Sequence, residues 1–249
     1  MPYHLFILAY AWRLVKADVS KRLKDKTRSH NTLPTRLEMI TGFICIGCYL
    51  CNCFLKYQQN TLIFMFNPCH VAILFLAVTC FTKYGVVGEI SAMCVYSFAF
   101  GGYIGIIFNE NYELSPSELV LYYVEHAYTS ALGPLILNLS GRYDFASRAF
   151  PPYPFFGFGF FSFYMRYFLM PLSALTWANL NHTLCGLDND PFYKAFDLGK
   201  SYYGWSELYL LGSCFVGYLL NYIFIRVTYI MLRLLGITKL DQSTKAKNS

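Results

Sequence analysis

The chain has 249 residues; 56% are hydrophobic, 19% aromatic and only 14% charged, with a net charge of +6. An ordinary soluble domain carries about a quarter charged residues, so this composition excludes a typical soluble enzyme. The positive charge is gathered in loops between apolar blocks, which argues against a nucleic-acid partner.

The blocks lie near the roughly 20 residues that one helix needs to cross a bilayer, and they lack the short alternating stretches of a membrane barrel. The expected fold is all-α, a polytopic membrane helix bundle of six to seven transmembrane helices. It is expected to be one domain over residues 1–249, because no loop is long enough to fold separately. A marginal first span and basic loop (1–36) precede a core bundle (37–232) and a tail (233–249).

The first block, 2–15, is interrupted by Arg13 and spans poorly. The loop 16–36 holds Lys16, Lys21, Arg22, Lys24, Lys26, Arg28 and Arg36 against Asp18 and Asp25, the signature of a cytosolic loop. The charge follows the apolar stretch, opposite to a secretory signal. Block 37–57 carries Cys45, Cys48, Cys51 and Cys53 at ligand-like spacing. With no histidine or carboxylate to complete a site, they are expected to act as small packing residues and not to hold a metal.

Block 62–82 contains Asn67-Pro68-Cys69-His70 inside TLIFMFNPCHVAILFLAV. Proline disfavours the helical conformation in the residue before it and suits the first helical position. Asn67 is a cap residue. The spacing therefore predicts a helix restarting inside the membrane, with Cys69 and His70 in its first turn. Backbone N–H groups there favour a thiolate and can stabilise an oxyanion. A proline-kinked packing helix with an inert cysteine is the plainer alternative.

After block 85–108, the acidic loop 109–116 leads into block 117–139. Glu118, Tyr122 and His126 recur there at every fourth position, on one helical face. Cys69 and His126 each lie about eight to ten residues in from an outer loop, hence roughly 12–15 Å deep in the same leaflet. A thiol and a base at one depth meet the first requirement of a Cys–His nucleophile pair. Tyr122 is expected to orient the imidazole or hold substrate, and Glu118 to end the hydrogen-bond chain. His70, about 100° round the helix from Cys69, ranks second as the base. Glu125 is expected to face away from this site, with Arg166 of block 153–178 as its ion-pair partner. Arg166 is alternatively a lipid-phosphate ligand.

The loop 140–152, with Arg142 and Arg148, falls on the cytosolic side. The long loop 179–204 falls outside and supplies Asn179, Asn181, Asp190 and Tyr193 to cover a cavity or bind a head group. Asn181 opens a glycosylation sequon expected to face the lumen; that of Asn138 is expected in the cytosol. Block 205–232 is the last span. The terminal KAKNS resembles a dilysine signal for retrieval to the endoplasmic reticulum, placing the C-terminus in the cytosol.

Three motifs together resemble the transmembrane protein 164 family: Asn67-Pro68-Cys69-His70; Glu118…Tyr122-Tyr123…His126; and Asn179-Leu180-Asn181…Cys185…Asp190-Pro191-Phe192-Tyr193. The similarity runs from about residue 37 onward. It departs at Met165, where a histidine is expected, and at Gly186, where a proline is expected. The resemblance implies an integral-membrane acyltransferase of ether-phospholipid remodelling. Such an enzyme moves a polyunsaturated acyl chain from phosphatidylcholine to an ether lysophosphatidylethanolamine through a cysteine thioester. Cys69 matches the nucleophile and His126 the histidine. The implied fold is distantly similar to that of androgen-induced integral-membrane lipid hydrolases. The reaction requires no cofactor, and its partners are phospholipid and lysophospholipid. A hydrolase using the same dyad and a small transporter or channel are the competing readings; the latter is weakened by the lack of a matching inverted repeat.

Overall fold

A computed structural model describes residues 3–24, 33–107, 114–143, 148–178, 180 and 202–235. Among these the protein is all helix, with no strand, and it builds seven helices. Helix α1 is Tyr3–Lys24, α2 is Arg36–Gln58, α3 is Pro68–Phe81 and α4 is Val86–Ile107. Next comes a helix in three parts: α5 (Pro116–Ala127), a π turn (Tyr128–Leu132) and α6 (Gly133–Leu139). Another follows in the same form: α7 (Tyr153–Phe163), a π turn (Tyr164–Leu169) and α8 (Met170–Thr176). Helix α9, Tyr202–Leu234, closes the bundle.

The stretch 16–24 is helical and not loop. Asp18 and Arg22 pair one turn apart at 2.6 Å, and Ala11, Val15 and Val19 bury one face of α1, which packs on α7. That burial carries the helix past the point where its apolar run ends.

Among the described residues, three helices are long and apolar enough to cross a membrane: Arg36–Gln58, and the stretches Val86–Tyr103 and Phe215–Leu234. Three of the other four fall short for identifiable reasons. Helix α3 has 14 residues, about 21 Å at 1.5 Å each, against a hydrocarbon core of about 30 Å. The other two long apolar blocks are interrupted by π turns. Each π turn stands just before a proline, Pro134 or Pro171. A proline has no N–H to donate, and its ring collides with the carbonyl four residues back. Widening the ladder by one residue accommodates both defects.

Helix α2 is polar inside and apolar outside. Glu38, Thr41, Cys45, Cys48 and Asn52 are buried, whereas Ile40, Phe43, Leu50 and Phe54 are exposed. That is the inverse of a water-facing helix, and it fits a lipid-facing one, whose interior contacts are small and polar. The expected packing role of Cys45 and Cys48 agrees with their burial; Cys51 lies on the exposed face.

Helix α3 occupies the centre, between α2 and α4, with α5 and its π turn alongside. Its Ala72, Ile73, Leu76, Ala77 and Cys80 are buried. The polypeptide reaches α3 through a 3-10 turn, Leu62–Phe66. The restart predicted at Asn67-Pro68 is present, and the N-terminus of α3 opens inside the bundle.

Candidate functional site

Pro68 takes the first turn of α3, and Asn67 is the cap residue in extended conformation (φ −59°, ψ 145°). Asn67 does not cap through its side chain. Its buried Oδ1 has no hydrogen-bond partner among the described residues. Cys69 and His70 follow in the first turn. This is the helix-terminal setting that the proline predicts.

Across from them, α5 delivers Glu125. Its Oε1 lies 2.7 Å from His70 Nδ1, and its Oε2 accepts from Asn52 Nδ2 of α2 at 3.2 Å. Asn52 also approaches Cys48 Sγ at 3.8 Å. The donor atoms of Cys69, His70 and Glu125 all lie within 4.8 Å of one another. Glu125 is 1% exposed and His70 7%, whereas Cys69 is half-buried. Imidazole, carboxylate and amide are hydrogen-bonded to one another, with the thiol close by, in a group drawn from three helices. Glu125 holds the ring of His70 through Nδ1.

The sequence-expected residues distribute differently. His126 lies on the α4 side of α5. Its Nδ1 donates to the Tyr122 backbone carbonyl at 2.8 Å, its ring stacks on Tyr122 at 4.0 Å between centroids, and it is not a member of the Cys69 group. The Tyr122 hydroxyl donates to Gly105 O at 2.6 Å, so it is the Tyr122 carbonyl, not the hydroxyl, that orients the imidazole. Gly105 permits this close packing: a Cβ there would sit 2.6 Å from His126 Cδ2 and 2.8 Å from the Tyr122 hydroxyl.

Glu118 ends no chain to the histidine. It closes a capping box with Ser115, accepts from Gln59 Nε2 at 2.7 Å and pairs with Lys56 at 3.7 Å. Glu125 turns toward His70 and Asn52 and not toward Arg166. Arg166 stands half-buried on the second π turn. That turn borders the site: the Tyr164 hydroxyl donates to Phe66 O at 2.6 Å, and Phe168 packs edge-on against Phe66 at 5.5 Å. Asn179, Asn181, Asp190 and Tyr193 lie outside the described residues.

Sequence reasoning missed Asn52 and the direction of Glu125. The buried polar series on α2, ending at Asn52 one turn after Cys48, is the signal that could have found the first. Nothing in the periodicity of α5 alone tells whether residue 125 or 126 meets α3. No protein-family model matches the chain, and no solved structure matches its fold.

Proposed function

We propose that the protein is a membrane-embedded lipid acyltransferase with Cys69 as its nucleophile, moving a polyunsaturated acyl chain from phosphatidylcholine to an ether lysophosphatidylethanolamine. The observation that carries the reading is the Cys69–His70–Glu125–Asn52 group at the open N-terminus of α3. A nucleophile, a base and a group that orients the base is the arrangement of covalent catalysis. The lipid class comes from the family resemblance. The apolar outer faces of α2 and α9, with Phe43, Leu50, Ile223 and Ile230 exposed, support delivery of substrate from the bilayer. In this reading six to seven helices cross the endoplasmic reticulum membrane, and the basic stretch from Lys16 to Arg36 and the C-terminus face the cytosol.

The reaction has two halves. His70 Nε2 takes the Cys69 proton, and the thiolate attacks the sn-2 ester carbonyl carbon. N–H groups at the start of α3 hold the oxyanion. The tetrahedral intermediate expels the lysolipid alkoxide, which takes the proton from His70 and leaves a thioester on Cys69. The acceptor hydroxyl then gives its proton to His70 and attacks the thioester; the C–S bond breaks, and the Cys69 thiolate takes the proton back from His70. Asn67, one residue before Pro68, offers its amide to the substrate. His126 and Tyr122 act as positioning residues, fixing α5 against α4 so that Glu125 reaches His70.

Purified protein incubated with phosphatidylcholine should gain the mass of one acyl chain on Cys69, and lysolipid should discharge it to a new diradyl lipid. Cys69→Ser should cut transfer by at least about 10⁴-fold, as loss of a nucleophile does in other covalent systems. Free fatty acid as the sole product would make the protein a hydrolase. Full transfer by Cys69→Ser would end the nucleophile assignment.

A further inference from the structure

We propose that Cys69, His70 and Glu125 also form a binding site for a thiophilic divalent cation, zinc above all, which caps the site and silences the thiol. Among the described residues, no other group of three or more histidine, cysteine and carboxylate donors converges. All three donor atoms lie within 4.8 Å of one another. In a tetrahedral zinc site with Zn–S of about 2.3 Å and Zn–N of about 2.0 Å, donors are spaced roughly 3.3–3.7 Å apart. Convergence of about 1 Å on the sulfur side, and opening of the 2.7 Å His70–Glu125 contact, completes the triangle. Cys69 and His70 are consecutive on one helix turn and Glu125 comes from another helix, so a small shift of α5 against α3 suffices.

The chemistry selects the ion. Thiolate and imidazole prefer zinc to magnesium or calcium, which take all-oxygen sets. Three protein ligands leave a fourth position open, as in reactive rather than structural zinc sites. Charge favours it as well. A dication with one thiolate, one carboxylate and a neutral imidazole is electrically neutral, which limits the cost of burying it among apolar helices. The Cys69 proton is released to solvent as the Zn–S bond forms. Asn52, holding the second oxygen of Glu125 at 3.2 Å, is the outer contact that fixes the carboxylate's orientation.

The metal site stands on geometry alone; only its effect on acyl transfer rests on the reading above. Full-length protein stripped with chelator is titrated with cobalt(II) as a spectroscopic probe. One equivalent should produce the sulfur-to-cobalt charge-transfer band with intense tetrahedral visible bands, displaced by zinc. Cys69→Ser should abolish the charge-transfer band, and Cys48→Ala, on the neighbouring helix, should keep it. In the unaltered protein, zinc at ten times its dissociation constant should slow alkylation of Cys69 by iodoacetamide about tenfold, read by peptide mass spectrometry. A band that survives Cys69→Ser, or alkylation indifferent to zinc, overturns the proposal. Cobalt binding without any acyl-Cys69 in metal-free protein would keep the site and remove the nucleophile; acyl-Cys69 without cobalt binding would do the reverse.

Discussion

Buried glutamates hold both ends of this bundle together, and they do so in opposite ways. At the end bearing the basic loop, Glu38 accepts from Arg142 Nε at 2.8 and 3.1 Å. The same guanidinium donates to Thr82 O at 2.6 Å and Thr79 O at 3.1 Å, tying α2 to the end of α3. Glu89 pairs with Arg148 at 2.7 Å, and that guanidinium lies over the Tyr153 ring at 5.5 Å. Toward the other end, Glu125 meets an imidazole and an amide. Arginine keeps its proton at any physiological pH, so its pairs act as fixed locks. An imidazole, unlike a guanidinium, can both give and take a proton, so the proposed reaction assigns its chemistry to the glutamate held by histidine. Partner identity, not burial, separates the two ends.

Breaking the locked end should give the largest effect. Arg142→Met leaves Glu38 buried without its cation and frees two carbonyls. A loss of about 3–5 kcal/mol is expected, seen as a lower thermal midpoint in detergent. Glu125→Gln should do the converse. It keeps shape and hydrogen-bonding capacity, so the midpoint should move little. Acyl transfer should fall roughly 10²–10³-fold, the scale of a misoriented general base. If Glu125→Gln lowers the midpoint as far as Arg142→Met does while leaving transfer unchanged, the contrast between the ends is wrong.

The α4–α5 contact gives an intermediate test. Gly105→Ala forces a methyl against the His126 ring and the Tyr122 hydroxyl, at an expected cost of about 1–3 kcal/mol. Pairing it with a small residue at 126 should recover stability, read as coupling in a double-mutant cycle. The smallest effect concerns acid. Burial alone would raise the Asp18 pKa, but hydrogen bonds from Tyr153 and Arg22 outweigh it and hold the carboxylate below its ordinary value. The stability it contributes is fully present above an unfolded pKa of about 3.9 and is lost as pH falls through the lower folded value. Asp18→Asn should flatten the acid limb of a stability–pH curve below that pH and leave neutral behaviour nearly unchanged.

Much of the site's backbone was readable in advance. Asn67-Pro68 favours a helix start, because proline restricts the residue before it and fits the first turn; four letters offered Cys69 a helix N-terminus beside the alternative of a kinked packing helix, and the structure has the start. The choice of imidazole did not follow. On a continuous helix, His126 and Cys69 share a depth, and depth was all that residue counting supplied. Which side of α5 turns toward α3 depends on how closely α5 can approach α4, and that is set by Gly105, a residue without a side chain in a helix more than ten positions away. Arg166 was assigned to Glu125 because an unpaired intramembrane charge is costly. The reasoning about cost holds, yet Glu125 is satisfied by Asn52 and His70, polar groups that no periodicity on α5 or α7 points to.

By itself the sequence determined the all-helical fold, the apolar blocks and the break before Cys69, because each depends on residues adjacent along the backbone and on their fixed 1.5 Å rise and 100° turn. Tertiary structure decided the rotation of each helix about its own axis. His70 neighbours the thiol because the two are consecutive on α3; the rotation of α5, with its Gly105 contact on α4, brings Glu125 and not His126 to that pair.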